Sequence, residues 1–182
     1  MIVVKVGGSL YDLPDLRERL NRFLLPLAVN DTVIVVPGGG AMVDVIREWD
    51  RLHDLGDPVS HNLAFGAMTS CALMLKNLIA NSRYISHVAE ASFRGIFVCS
   101  CQWDVPVSSE LPPSWDVTSD SISASLAIVT RATRLILLKS IDVPNQGNLQ
   151  RLADLGVVDR YFPKIIANYT GSLEIVNFRN DR

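Results

Sequence analysis

The chain has 182 residues, 17 basic and 19 acidic, giving a net charge of −2, with 48% hydrophobic and 20% charged residues. A chain of this length and apolar share buries most of its unfolded surface in one domain without staples, which excludes disordered, collagenous and low-complexity classes. No basic tract or acidic tail marks a nucleic-acid partner, and no run reaches the ~18 apolar residues of a membrane helix.

The opening MIVVKVGGSL lacks the basic region, apolar core and small-residue cleavage site of a secretory leader. Cys71, Cys99 and Cys101 form no disulfide framework, so a cytoplasmic setting is the economical reading. No metal site is expected. Cys99-x-Cys101 has no second pair, and His53, His61 and His87 show no ligand spacing. The cysteines read as small buried apolar residues.

In chain order, Ile2-Val3-Val4-Lys5-Val6 is a short β-branched run stopped by Gly7-Gly8, the pattern of a buried strand. A helix is predicted from Asp12 as N-cap, with Pro14 in its first turn and leucines at helical spacing to Leu27. Thr32–Val36 is a second buried strand, stopped by Pro37-Gly38-Gly39-Gly40. The following helix carries Val43, Ile46, Trp49 and Leu52 on one face. From Pro58 to Ser82 runs a long helix with a broad apolar stripe, read either as buried on much of its circumference or as a surface for self-association.

Short strands are predicted at Tyr84–Val88 and Gly95–Cys101, and a Pro- and Ser-rich loop at Pro106–Ser114. Next come a helix at Ser119–Thr130, a buried strand at Leu135–Lys139 and a short helix at Leu149–Leu155. A helix at Phe162–Tyr169 and a strand at Leu173–Asn177 end the series. Strands alternating with helices specify an α/β chain, a three-layer α/β/α sandwich around a mostly parallel sheet, as one domain over 1–182.

Two glycine loops then fall at the C-terminal ends of buried strands, the edge where open α/β sheets bind ligands. Either loop alone reads as a tight strand-to-helix turn. Two together suggest an anion cradle of backbone N–H groups and helix dipoles, although neither has dinucleotide-fold or P-loop spacing. Lys5 lies inside an apolar strand two residues before the first glycines, where a charge must be paired or face a ligand. Ser114-Trp115-Asp116-Val117-Thr118-Ser119-Asp120-Ser121 holds more hydroxyls and carboxylates than one N-cap needs. Lys164, from spacing alone, is a solvated lysine.

These segments together resemble the amino acid kinase superfamily: V-V-K-V-G-G-S-L, P-G-G-G, T-S-D before a helix and L-L-K-S-x-D, in family order across nearly the whole chain. S-W-D-V-T-S-D-S-I and S-H-N-L-A-x-x-A-M, with the short length, resemble its small subgroup of aminomethylfuran methyl phosphate kinases of methanofuran biosynthesis. The resemblance implies an ATP-dependent, Mg²⁺-assisted phosphotransferase, homo-oligomeric, acting on a small anionic substrate. Its acceptor side would cover roughly 1–115 and its nucleotide side roughly 116–182.

It also implies roles. Lys5 and Lys164 would stabilise the transferring phosphoryl group, with Asp120 orienting both. Gly7, Gly8, Ser9, Gly38, Gly39 and Gly40 would hold phosphates. Ser119, Lys139, Ser140 and Asp142 would line the nucleotide pocket. His61, Trp115 and Thr118 would face the acceptor, although His61 also reads as a helix-end polar residue and Trp115 as a loop anchor. The segment Lys139-Ser140-Ile141-Asp142-Val143-Pro144 lacks the family's D-x-D-G-V glycine, which keeps a non-catalytic nucleotide- or oxyanion-binding protein as the alternative. Carbamate, acetylglutamate and nucleoside monophosphate kinases are rivals within the class. A nicotinamide oxidoreductase is disfavoured by the glycine spacing and by Pro37 standing where an acidic residue would read the ribose.

Overall fold

The computed structural model describes residues 1–100, 111–143 and 148–180. Cys101, Pro144 and most of the predicted loop at 106–114 lie outside them. Six strands form one sheet: β1 (Ile2–Val6), β2 (Thr32–Pro37), β3 (Ser82–Ile85), β4 (Gly95–Cys99), β5 (Arg134–Lys139) and β6 (Ser172–Asn177). The order is β3-β4-β2-β1-β5-β6, and every pairing is parallel. Parallel strands need crossover helices, and those helices cover both faces, which is why the strands read as continuous apolar runs.

The period of two along each strand divides the core between the faces. Ile2, Val4 and Val6 of β1 join Leu16, Leu20 and Leu24 of α1 (Leu16–Ala28) and Leu75 of α3 (Asp57–Leu78). On the other face Val3, Ile34 and Leu137 pack with Phe65 of α3, Ile122 and Leu126 of α4 (Ser119–Val129), Leu152 of α5 (Leu149–Asp154) and Phe162 of α6 (Phe162–Ile166). The chain leaves β1 for β2 on one side and later returns to pair β5 with β1 on the other. The turns after β1, β2 and β5 therefore open beside the position where strand order reverses, the place such sheets bind ligands.

Several elements differ from the sequence pattern: the long helix ends at Leu78 rather than Ser82, and β3 takes Ser82–Ile85 rather than 84–88. α1 begins at Leu16, not in the turn after Asp12. A 3₁₀ turn at Gly8–Leu10 and successive bonds from Leu13 N to Leu10 O and Leu16 N to Leu13 O carry the chain through that stretch. In α2 (Gly40–His53) only Ile46 is buried. Trp49 is 48% and Leu52 57% exposed, so the Val43–Ile46–Trp49–Leu52 face does not pack on the core. α3 is likewise half a core helix: Phe65, Met68, Cys71 and Leu75 are buried, while Val59, Leu63, Leu73 and Met74 are exposed.

α3 also contains a test of helix energetics. A Cβ added at Gly66 meets nothing within 4 Å. Gly66→Ala is expected to raise unfolding free energy in urea by about 0.5–1 kcal/mol, because alanine loses less backbone entropy on entering a helix.

Candidate active site

The two glycine loops meet main chain to main chain. A Cβ on Gly8 would fall on the backbone of Gly40, and one on Gly38 would lie 2.5 Å from Gly8 N. Only residues without side chains allow this seam. Two of its N–H groups extend the sheet: Gly7 N donates to Leu138 O at 2.9 Å and Gly38 N to Val6 O at 2.8 Å. Gly7 and Gly38 therefore shape the loops and have no N–H left for a phosphate, unlike the six-residue cradle expected from sequence. Among the described residues the N–H groups of Gly8, Ser9, Gly39 and Gly40 have no protein acceptor. The last two open α2, whose N-terminal dipole adds positive potential there. Arg179 ties the first loop to the end of the chain, donating to Ser9 O at 2.7 Å and Asp12 Oδ1 at 2.6 Å.

Strand register builds the charged centre. Lys5 stands opposite Leu137 on β5 and shares the face of Val3. Lys139, two residues past Leu137, has the same parity. Both lysines point to the layer containing α4 and share Asp120 in its first turn: Lys5 Nζ lies 2.9 Å from Oδ1 and Lys139 Nζ 2.6 Å from Oδ2. Lys5 and Asp120 are 5% and 3% exposed. Burial pushes the Asp120 carboxyl up, but the Lys5 and Lys139 ammonium groups together hold it down at about 2. Burial and the Lys5 charge bring Lys139 down to about 8, against the opposing pull of Asp120.

Asp159, absent from the sequence expectations, anchors α4. Its Oδ2 accepts from Thr118 N, Thr118 Oγ1 and Ser121 N, each at 2.9 Å. Its Oδ1 accepts from Ser121 Oγ at 2.5 Å and from Phe162 N at 2.8 Å. The hydroxyl cluster before α4 is thus a polar network around one carboxylate. Thr118 at the N-cap uses its hydroxyl on Asp159 rather than on its own helix. Burial and the Asp120 charge push the Asp159 carboxyl up, and the Ser121 and Thr118 bonds oppose them. Only the three-residue step from Asp159 to Phe162 is local; its bonds to α4 are tertiary.

A cavity of about 190 Å³ opens at the glycine loops, lined by Gly8, Ser9, Gly39 and Gly40 with His61, Phe65, Trp115, Thr118 and Ser119. His61 packs edge-on against Phe65 with ring centroids 4.9 Å apart, and burial lowers its pKa, so its imidazole is neutral at neutral pH. Trp115 Nε1 donates to Asp50 Oδ2 at 2.8 Å, and the Arg47 guanidinium lies over its ring, 5.0 Å from the centroid. A wider cavity of about 830 Å³ shares Trp115 and Thr118; among the described residues its charged lining is Asp116, Asp154, Asp159, Arg160 and the Asp120 that pairs with both lysines.

A model of the amino acid kinase family matches residues 1–144. The chain belongs to the amino acid kinase family. It is 24% identical to the [5-(aminomethyl)furan-3-yl]methyl phosphate kinase of Methanocaldococcus jannaschii, covering 99% of this chain and 89% of that protein. The uridylate kinase of Archaeoglobus fulgidus superposes with a TM-score of 0.72 at 17% identity, over 97% of this chain and 90% of that one. An isopentenyl phosphate kinase gives 0.59 at 15%, over 98% and 92%. As an amino acid kinase the chain is an ATP-dependent phosphotransferase on an all-parallel α/β/α sandwich.

Within this kinase the remaining predicted residues are dispersed. Lys164 makes no ion pair among the described residues, and its Nζ lies 5.0 Å from the Tyr161 ring centroid. The second lysine on Asp120 is therefore Lys139, where the resemblance implied Lys164. Ser140 directly follows β5. Asp142 Oδ1 accepts from Asn177 Nδ2 at 2.8 Å and Asn180 Nδ2 at 3.0 Å, which ties it to the end of β6. Among the described residues no three His, Cys, Asp or Glu side chains converge, and both Asp120 oxygens face ammonium groups. The described side chains form no Mg²⁺ cage.

Asp120 sets an acid limit. Its folded-state pKa lies below the ordinary 3.8, so the stability it contributes is present above about pH 4 and lost as pH falls toward 2. Denaturant melts are expected to lose on the order of 2 kcal/mol across that window, and Asp120→Asn to lack this component.

Proposed function

We propose that this kinase transfers the ATP γ-phosphoryl group to a small anionic acceptor, best matched by [5-(aminomethyl)furan-3-yl]methyl phosphate with the diphosphate as product. The observation that carries it is the buried Lys5–Asp120–Lys139 group beside the open N–H groups of Gly8, Ser9, Gly39 and Gly40. In the transfer an acceptor phosphate oxygen forms a bond to Pγ as the bond to the ADP leaving oxygen breaks. Lys5 and the loop N–H groups would carry charge on the equatorial oxygens, and Lys139 would meet the nucleotide side.

Asp120 is ionised across the physiological range with both oxygens on ammonium groups, which suits orientation rather than proton abstraction. An acceptor that is already anionic needs no base. Ser119, Ser140 and Asp142 remain proposed for the nucleotide side and Lys164 for the phosphoryl group. Mg²⁺, held by the nucleotide's own phosphates, would complete the charge balance.

Support for the acceptor comes from the Methanocaldococcus jannaschii relative and from a cavity of the right character, small, part aromatic and open to backbone donors. Uridylate, acetylglutamate or carbamate as acceptor would keep the kinase and change its substrate. A homo-oligomeric state is proposed from the exposed Trp49, Leu52, Val59, Leu63, Leu73 and Met74 on α2 and α3. A cytoplasmic location is proposed from the sequence, and among the described residues no helix is long and apolar enough to cross a membrane.

A coupled ADP-release assay with Mg-ATP is expected to respond to the furan phosphate and not to UMP, acetylglutamate or carbamate. Lys5→Ala should lower turnover by orders of magnitude while keeping the folded circular-dichroism spectrum; unchanged turnover would reject the mechanism. The alkaline limb should fall above about pH 8 as Lys139 loses its proton, and Lys139→Arg should move that limb higher. Light scattering is expected to give a multiple of the 20.1 kDa chain mass, and a monomer at micromolar concentration would discard self-association.

A further inference from the structure

The cavity wall supplied by α2 takes only Val43 from the helix's apolar stripe. Gly40, Val43 and Arg47, spaced i, i+3 and i+7, share one face, and all three line the acceptor-side cavity. Asp50 continues that face by another turn. Among the described residues Arg47 is the one permanently charged side chain lining this cavity, no carboxylate lines it, and His61 is held neutral by burial. The wall therefore presents one guanidinium to the cavity, and its carboxylate partner, Asp44, is not among the residues that line it.

The arginine is exposed but tethered at two points. Its Nη1 donates to Asp44 Oδ1 at 2.7 Å, and its flat face lies on the Trp115 ring. Trp115 is in turn fixed by its bond to Asp50, whose other oxygen accepts from Gly56 N at 3.0 Å. One guanidinium N–H is engaged with Asp44. Among the described residues the other donors have no protein acceptor, and stacking leaves the guanidinium edge available. Loop, helix and ring thus hold a pre-set fork for an oxyanion beside an aromatic wall.

We infer that Arg47, stacked on Trp115, is the residue by which this kinase selects its acceptor. The guanidinium edge pairs with the acceptor's phosphate or carboxylate, while Trp115 and Phe65 enclose a small flat or branched apolar body. This rests on the kinase reading above and goes beyond it in naming what discriminates among acceptors. Arg47 positions the anionic group and takes no part in bond making.

The test is calorimetric titration of wild type, Arg47→Met, Arg47→Lys and Trp115→Leu with [5-(aminomethyl)furan-3-yl]methyl phosphate, UMP and acetylglutamate, and separately with Mg-ATP. For the acceptor that binds wild type, Arg47→Met is expected to weaken affinity about 10- to 100-fold, as loss of a charge-assisted pair does. Arg47→Lys should restore part of that loss, Trp115→Leu should show a comparable one, and ATP affinity should stay within about twofold throughout. Arg51→Met, on the same helix but paired with Glu48 at the surface, controls for nonspecific charge.

Unchanged acceptor affinity in Arg47→Met overturns the inference. So do parallel losses for acceptor and ATP, or failure of all three acceptors to bind wild type. Binding that depends on Arg47 without ADP release would retire the kinase reading and leave the selector in place. ADP release by Arg47→Met at the wild-type acceptor KM would do the reverse.

Discussion

Two buried ammonium groups sharing one carboxylate carry a net positive charge in a place water barely reaches. Such a group is tolerable only because Asp120 ion-pairs with both lysines, hydrogen-bonding Lys139 and lying 2.9 Å from Lys5, and because the sheet edge opens beside it. The uncancelled charge makes the centre a receptor for anions before any particular ligand is considered. The rest of the architecture serves its geometry. Parallel register sets Lys5 and Lys139 on one face, α4 brings Asp120 to meet them, and Asp159 fixes where α4 starts.

The glycine seam has a different physical origin. Its constraint is steric: two strand ends are close enough that a single methyl group would meet neighbouring main chain. A third of the expected anion cradle is consequently structural, since Gly7 and Gly38 extend the sheet's hydrogen bonding past the strand ends. What remains free is a short row of donors at the opening of α2, where the helix dipole reinforces them.

Much of this was legible in the sequence. Strands covered on both faces write themselves as unbroken β-branched runs, so β1, β2 and β5 and the loops after them could be read directly, as could the odd placement of Lys5. The α2 face could not. Apolar periodicity points a helix inward only when its inner surface is apolar core, and α2 turns Arg47 and Asp50 toward a cavity and Trp115 while leaving Trp49 and Leu52 outside. Lys139 was seen as a pocket residue, but its share in Asp120 depends on register between strands far apart in sequence. Asp159 was missed because its work is tertiary, across 38 to 41 residues.

The carboxylate of Asp159 accepts from the start of α4 and from the start of α6 at once. Asp120 lies one residue before the Ser121 that this carboxylate holds, so the position of the acid between the two lysines and the start of α6 share one anchor. Replacing that single side chain would leave donors at two helix starts without their acceptor.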